Sequence, residues 1–358
     1  MTVERNAMAK LLAWKDAPNR KPLVINGARQ VGKTWLATEF GERCFGSTAH
    51  VVFLENEQAK AIFSRSLDPK AILRLIGALT GTNPFDGKTL VFLDEIQECP
   101  RAITALKLFA EQTPEVPIIA AGSLLGVALS RGGGGGEAPA SWPVGKVSFL
   151  DLHPMTFDEF LVAGGNGQLA ELLASGSPEI ADMLSDQLKG LLREYLFVGG
   201  MPEAVQEYAR SQSLLEVRRI QEDLLRGYEL DFSKHVESPS MTERIRETWR
   251  SVPSQLATEG DLKRFSYASI KANARGRGYR DAVSWLADAG LVTKVPKVSK
   301  PGVPLEGYAD GTYFKLYLLD VGLLGAATHL DAAVLLEHES IVGAGHKQHV
   351  VDALLHQT

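Results

Sequence analysis

The sequence predicts an α/β fold: a parallel sheet with helices on both faces, then a mostly helical half. Two observations carry this. As far as residue 152, short apolar runs of strand type alternate with runs of helical spacing, the pattern of parallel strands joined by helical crossovers. Inside the first such unit, Gly27-Ala28-Arg29-Gln30-Val31-Gly32-Lys33-Thr34 has the spacing G-x-x-x-x-G-K-[ST], a phosphate-binding P-loop when a strand precedes it and a helix follows.

Residues 6–16 read as a short amphipathic helix. Pro22–Asn26 is the expected first strand and Trp35–Phe40 the helix after the loop, so the P-loop has its context. Glycines let successive N–H groups point at phosphate oxygens, and the helix N-terminus adds partial positive charge. Lys33 is expected to reach the β- and γ-phosphates, with the Thr34 hydroxyl on Mg²⁺. His50–Glu55 reads as the second strand and Pro69–Leu79 as a helix. Thr89–Leu93 is the third strand and runs into Asp94-Glu95. An acid at that strand's end, about 60 residues after a P-loop, fits Asp94 as a magnesium ligand and Glu95 as the general base on water. A turn or a helix cap is the plainer use of such a pair.

A helix over 102–111 leads to a fourth strand, Val116–Ala121, ending at Gly122-Ser123. That strand is expected between the P-loop strand and the third, which would let Ser123 sense the γ-phosphate; a simple turn is the alternative. Val147–Leu152 supplies a fifth strand. The glycines of 132–136 read as a surface loop, since no Lys-Ser/Thr pair follows them.

Beyond residue 155 helices take over. Ile180–Phe197 is one amphipathic stretch ended by Gly199-Gly200, and Pro202 opens the next helix, where its missing N–H costs nothing. Ser240 and Glu243 have capping-box spacing ahead of a helix over 241–250. Residues 261–300 hold nine basic and three acidic residues, a net +6 in a chain of formal charge −5. A short helix near 266–274, a second over 279–289, and strands at 291–295 and 313–318 suggest a winged helix. Arg275, Arg277, Arg280, Lys294 and Lys297 are then the expected contacts to double-stranded DNA. A protein-binding winged helix with merely solvated charges is the alternative. The domains read as a P-loop core (1–154), a helical lid (155–240), a winged helix (241–325) and a tail (326–358). In that tail His346, His349 and His356 invite a metal-site reading that no flanking ligand supports.

At 45% hydrophobic and 23% charged, the composition is that of an ordinary globular protein. Cys44 and Cys99 have no metal-ligand spacing and suggest no disulfide framework, so a reducing cytoplasm is expected. No apolar run suits a membrane span and no signal-peptide layout is present.

The motifs together resemble the AAA-like P-loop ATPases of bacteria and archaea that carry a C-terminal domain of unknown function. The resemblance covers residues 5–325. It rests on the P-loop, Asp94-Glu95-Ile96-Gln97, Gly122-Ser123-Leu124-Leu125, Pro143–Val147, Pro154–Phe157 and Gly199-Gly200-Met201-Pro202-Glu203. Asp231–Lys234 and Trp285–Leu291 complete it. The resemblance implies ATP and Mg²⁺ at Lys33, Thr34, Asp94 and Glu95. Gly200 and Pro202 are similar to a G-x-P element through which a helical domain senses nucleotide. Relatives often have arginine at Lys146, where lysine lacks the planar bidentate fork, and they continue into a nuclease-like region that this chain does not match. Expected partners are ATP and DNA, with homo-oligomers open; Arg101 and Arg131 are candidates for an arginine donated to a neighbouring copy. A slow-turnover nucleotide switch, its winged helix contacting protein, is the rival reading.

Overall fold

A computed structural model of the chain describes residues 4–123, 125, 142–177, 183–234, 236, 238–257, 264–271, 276–300 and 302–332. It divides into two compact units, Arg5–His153 and Met1–Glu4 with Pro154–Thr358. The glycine run at 132–136, Arg131, Arg275 and the tail histidines His346, His349 and His356 lie outside the described residues.

In the first unit, β1 (Leu23–Asn26), β2 (Ser47–Val52), β3 (Thr89–Asp94), β4 (Ile118–Ala121) and β5 (Ser148–Asp151) form one sheet in the order β2-β3-β4-β1-β5. Every pairing is parallel. The fourth strand thus lies between the first and third, as expected. β3 is buried at all six residues, which is why it reads as an unbroken apolar run rather than an alternating one.

Side chains alternate across the sheet. Val91 and Leu93 join a core with Phe63, Ile72, Leu73 and Phe109 from α3 (Glu57–Arg65), α4 (Pro69–Thr80) and α5 (Pro100–Gln112). The other face packs on α2 (Lys33–Cys44) so closely that a Cβ on Gly41 would meet Thr48 Oγ1 at 2.3 Å. α1 (Ala7–Lys15) packs on α2 through Trp14 and Phe40, with ring centroids 6.2 Å apart. α4 has textual boundaries: Asp68 accepts the Ala71 N–H, Pro69 opens the helix, and Gly81 at φ +69° closes it. The sequence reading passes over α3, whose signals were Asn56 as cap for the Ala59 N–H and Ala59, Ile62 and Phe63 on one face. β2 starts three residues earlier than expected and ends at Val52, before Glu55 turns left-handed at φ +54°.

The second unit begins with α6 (Phe157–Ala163), α7 (Gly167–Ala174), α8 (Ser185–Val198), α9 (Pro202–Ser211) and α10 (Leu214–Asp231). After them come α11 (Pro239–Ala257), α12 (Gly276–Asp288), the antiparallel pair β6 (Val292–Val298) and β7 (Ala309–Leu318), and α13 (Val321–Ala327). Phe232 sits edge-on between Trp249 and Trp285, joining the end of α10 to α11 and α12. The expected Ser240–Glu243 capping box is not made. α11 begins at Pro239, so Ser240 is already helical; its hydroxyl pairs with Ser238, and Glu243 with Arg246. Near 266–274 the described residues show one 3-10 turn, Tyr267–Ser269, in place of the expected helix. Among the described residues no helix is long and apolar enough to cross a membrane.

Candidate active site

The C-terminal ends of β1, β3 and β4 bring the expected groups together, at the edge where open α/β sheets bind ligands. β1 hands over to the loop Gly27–Gly32, and α2 starts at Lys33. The loop's shape requires its glycines. Gly27 has φ +145° and a Cβ there would lie 2.2 Å from the Leu152 carbonyl oxygen, while Gly32 has φ +93°. Between them Ala28 and Val31 are buried, and Gln30 is left-handed at φ +66°. Arg5, itself buried, braces the loop from behind: its guanidinium donates to the carbonyls of Val31 (2.9 Å) and His153 (2.7 Å).

Lys33 Nζ donates to the carbonyls of Gly27 (3.0 Å) and Ala28 (2.6 Å). Burial pushes its ammonium down to about 8; Glu95 and Asp94 pull it back up, and Arg29 opposes them. Thr34 Oγ1 donates to Asp94 Oδ2 at 3.0 Å. Asp94 Oδ1 accepts the Glu95 N–H at 3.0 Å, and His50 Nε2 lies 3.3 Å from Oδ2. Thr34 and Asp94 therefore offer adjacent hard oxygen donors, the type a magnesium ion takes.

Glu95 follows with φ +52°, a conformation a side-chain-bearing residue adopts only where its surroundings hold it. Gln97 Nε2 donates to Glu95 Oε2, and the Ser123 hydroxyl lies 3.5 Å from the same oxygen. Arg29 Nε in turn donates to Ser123 Oγ at 3.1 Å. Gly122 makes room for this arrangement, because a Cβ there would come within 2.5 Å of Gln97 Oε1. Among the described residues that buried oxygen has no hydrogen-bond partner.

The sequence reading left Arg5, His50 and Gln97 without a role. Gln97 lies two residues after Glu95, so the Asp-Glu-Ile-Gln run itself carries its signal; Arg5 and His50 come from distant segments. Gly200 and Pro202 belong to the second compact unit. There the Gly200 N–H is given to Asp320 Oδ2 (2.6 Å), its carbonyl accepts from Met155, and Pro202 opens α9. Lys146 pairs with Glu111 at 2.9 Å, and Arg101 Nε donates to the Phe63 carbonyl at 2.8 Å. Of the basic candidates, Arg277 lies in the first turn of α12, and Arg280, Lys294 and Lys297 are exposed. Lys294 stands 4.4 Å over the Phe314 ring and Lys297 4.7 Å over Tyr313. No group of three or more His, Cys, Asp or Glu residues suited to a metal occurs among the described residues.

Residues 19–161, the stretch containing this constellation, match the family model of an AAA domain. Residues 189–334 match a domain of unknown function, DUF8612. The chain thus carries an AAA-type P-loop domain followed by a domain of unknown function. The Walker-type ATPase of Pyrococcus abyssi is similar in structure across 91% of this chain and 96% of its own, with a TM-score of 0.54 and 14% identity, a likeness of fold. The Aeropyrum pernix ORC1 protein in complex with DNA aligns over 92% of this chain and 93% of its own at 14% identity, with a TM-score of only 0.31. No curated protein matches the sequence. For an AAA-like P-loop ATPase the fold implies a nucleotide and a divalent metal, and the Thr34–Asp94 oxygens fit the metal.

Proposed function

We propose that the chain binds ATP with Mg²⁺, hydrolyses it, and couples turnover to a conformational change that acts on DNA. One observation carries the reading: Lys33, Thr34, Asp94, Glu95 and Ser123 converge at the ends of three neighbouring strands. Magnesium held by Thr34 and Asp94 would neutralise phosphate charge. Lys33 is a desolvated cation, and exchanging its two carbonyl partners for phosphate oxygens would strengthen its electrostatic contacts. Glu95 is the base for the attacking water, aimed by Gln97 and by Ser123, while Arg29 orients the Ser123 hydroxyl. Gly200 and Pro202 are proposed as the nucleotide-sensing element of a helical lid over residues 155–240.

The DNA part rests on α12 and the β6–β7 hairpin, read as a winged helix within 241–325. Arg277 and Arg280 fall in the first two turns of the proposed recognition helix, Arg275 precedes them in the sequence, and Lys294 and Lys297 would meet phosphates from the wing. The rival reading, a slow switch whose winged helix contacts protein, draws on the apolar hairpin tip, where Val303 is 98% and Leu305 55% exposed.

ATP turnover with and without duplex DNA, together with an anisotropy titration at two salt concentrations, separates the two. Glu95→Gln should keep ATP binding and lose turnover by a factor of about 10² or more. Reversing Arg277 and Arg280 to Glu should cut DNA affinity by orders of magnitude and leave basal turnover intact. The affinity should fall with salt at a log–log slope of about −0.9 per phosphate contacted. No DNA binding at low salt would leave the switch. An arginine supplied by a neighbouring copy would make activity per chain rise with protein concentration.

A further inference from the structure

His50 lies on β2, the edge strand, directly opposite Phe92 on β3. Its ring stacks on Phe92 with centroids 4.5 Å apart and planes within 18°. The stack fixes the ring plane and leaves Nε2 facing the Asp94 carboxylate, 3.3 Å from Oδ2. Asp94 is thus held from three sides: by Thr34, by His50, and by the Glu95 N–H on Oδ1.

These holders are not equivalent. Thr34 is assigned to the cation: coordination would take a lone pair of its hydroxyl oxygen, and its O–H would keep donating to Asp94 only from the position the metal dictates. His50 and the Glu95 N–H, on opposite oxygens, are the donors not tied to the cation, and they fix the carboxylate's rotation independently of it. One is backbone of the adjacent residue and the other is a side chain from a neighbouring strand.

Resting on the magnesium reading above, we propose that His50 is a positioning residue: its Nε2–H orients Asp94 for the divalent cation. It does not touch the metal or the nucleotide. Residues that orient metal ligands in this way typically change metal affinity by about 10–100-fold when removed. Magnesium, with its demand for near-octahedral oxygen geometry, is sensitive to a carboxylate that rotates.

The test separates the ring's stacking from its N–H. His50→Phe keeps a ring against Phe92 and deletes the donor. His50→Gln deletes the ring and places an amide N–H near the position of Nε2. A fluorescent ATP analogue is titrated with Mg²⁺ for wild type, both variants and Asp94→Asn, with analogue affinity measured also in EDTA. The expected result is a half-saturating Mg²⁺ raised about tenfold in His50→Phe, unchanged affinity in EDTA, and recovery to within a few-fold of wild type in His50→Gln. Wild-type behaviour in His50→Phe, or equal impairment in both, overturns the proposal. If His50→Phe does not fold, His50→Asn takes its place, because its amide is too short to reach Asp94. A wild type and an Asp94→Asn protein that both bind the analogue without regard to Mg²⁺ would instead remove the magnesium reading, and this inference with it.

Discussion

Two buried aspartates, one in each unit, are held by different kinds of donor. Asp94 takes hydrogen bonds from the side chains of Thr34 and His50 and from one backbone N–H. Asp320, at the start of α13, takes backbone N–H groups: Gly200 at 2.6 Å and Leu323 at 2.9 Å. A hydroxyl can turn to another partner, whereas a backbone N–H moves only with its chain. The second site is closed in other ways too. A Cβ on Gly199 would lie 2.2 Å from Asp320 Oδ1, and one on Gly200 would lie 2.0 Å from the Met155 carbonyl oxygen. Gln221, fully buried, gives both amide protons' worth of bonding to the carbonyls of Phe197 and Val198 and accepts from Arg218. Two of the three donors around Asp94 are side chains that can change partner; the groups around Asp320 tie four chain segments (155, 197–200, 218–221 and 320–323) to one another.

The sharpest way to break this comparison is to delete one charge from each site. Lys33→Ala should reduce ATP affinity by about 100-fold or more, since the phosphates lose their fixed cation. The unliganded protein should be no less stable, because the substitution removes a desolvated charge and leaves behind two carbonyls, which tolerate a missing partner better than N–H groups do. Asp320→Ala should do the reverse. It strands two buried N–H donors and should cost the second unit about 3 kcal/mol. Nucleotide titration and hydrogen exchange, resolved by unit, check both. Equal destabilisation by the two variants would erase the distinction.

Gly200→Ala is the next step down. Its Cβ would be driven against backbone rather than a flexible side-chain end, so the Gly200–Met155 contact must open, at a cost of about 1–3 kcal/mol. Faster exchange of the Met155 amide, which now donates to the Gly200 carbonyl, is the expected signature.

What the sequence made legible follows the same division. The P-loop and Asp94-Glu95 could be read because their chemistry depends on residues a fixed, short distance apart. The place of the fourth strand, expected between the P-loop strand and the third, is met in the sheet, and from it the role of Ser123 is argued. Arg5 braces carbonyls 26 and 148 residues away, His50 meets an aspartate 44 residues on, and Asp320 reaches back 120 residues to Gly200. Nothing local marks such pairs: a lone His in a strand and an Asp before an apolar run look like an edge residue and a helix cap. Asp320 is indeed that cap, with its second oxygen used elsewhere. The glycine pair 199–200 was legible as a helix stop, and its second cause, room for Asp320 and Met155, was not.

The smallest effect is the pH dependence of stability, which has opposite sign in the two units. Burial pushes the Asp320 carboxyl up from 3.8 to about 6, against the pull of its N–H donors. Between those values the folded chain holds a proton that the unfolded chain releases. Its contribution to stability is therefore present below about pH 4, falls as pH rises to about 6, and is flat above. Lys33 is pushed down from 10.5 to about 8, so at neutral pH the folded state carries a desolvated ammonium. Here the unfolded chain holds the extra proton, and stability rises with pH from about 8 to 10.5. Each displacement corresponds to about 3 kcal/mol across its whole window, so a step of one pH unit changes stability by no more than about 1.4 kcal/mol. Many groups titrate in these windows, so the difference from a matched variant is the quantity to measure. Relative to wild type, Asp320→Asn should flatten the acid-side loss in the second unit, followed by Trp249 and Trp285 fluorescence. Lys33→Met should remove the alkaline gain in the first, followed by its own tryptophans Trp14, Trp35 and Trp142. Should both variants keep the wild-type slopes, the two buried charges would be balanced by their partners, and the contrast between an exchangeable site and a fixed one would have to rest on geometry alone.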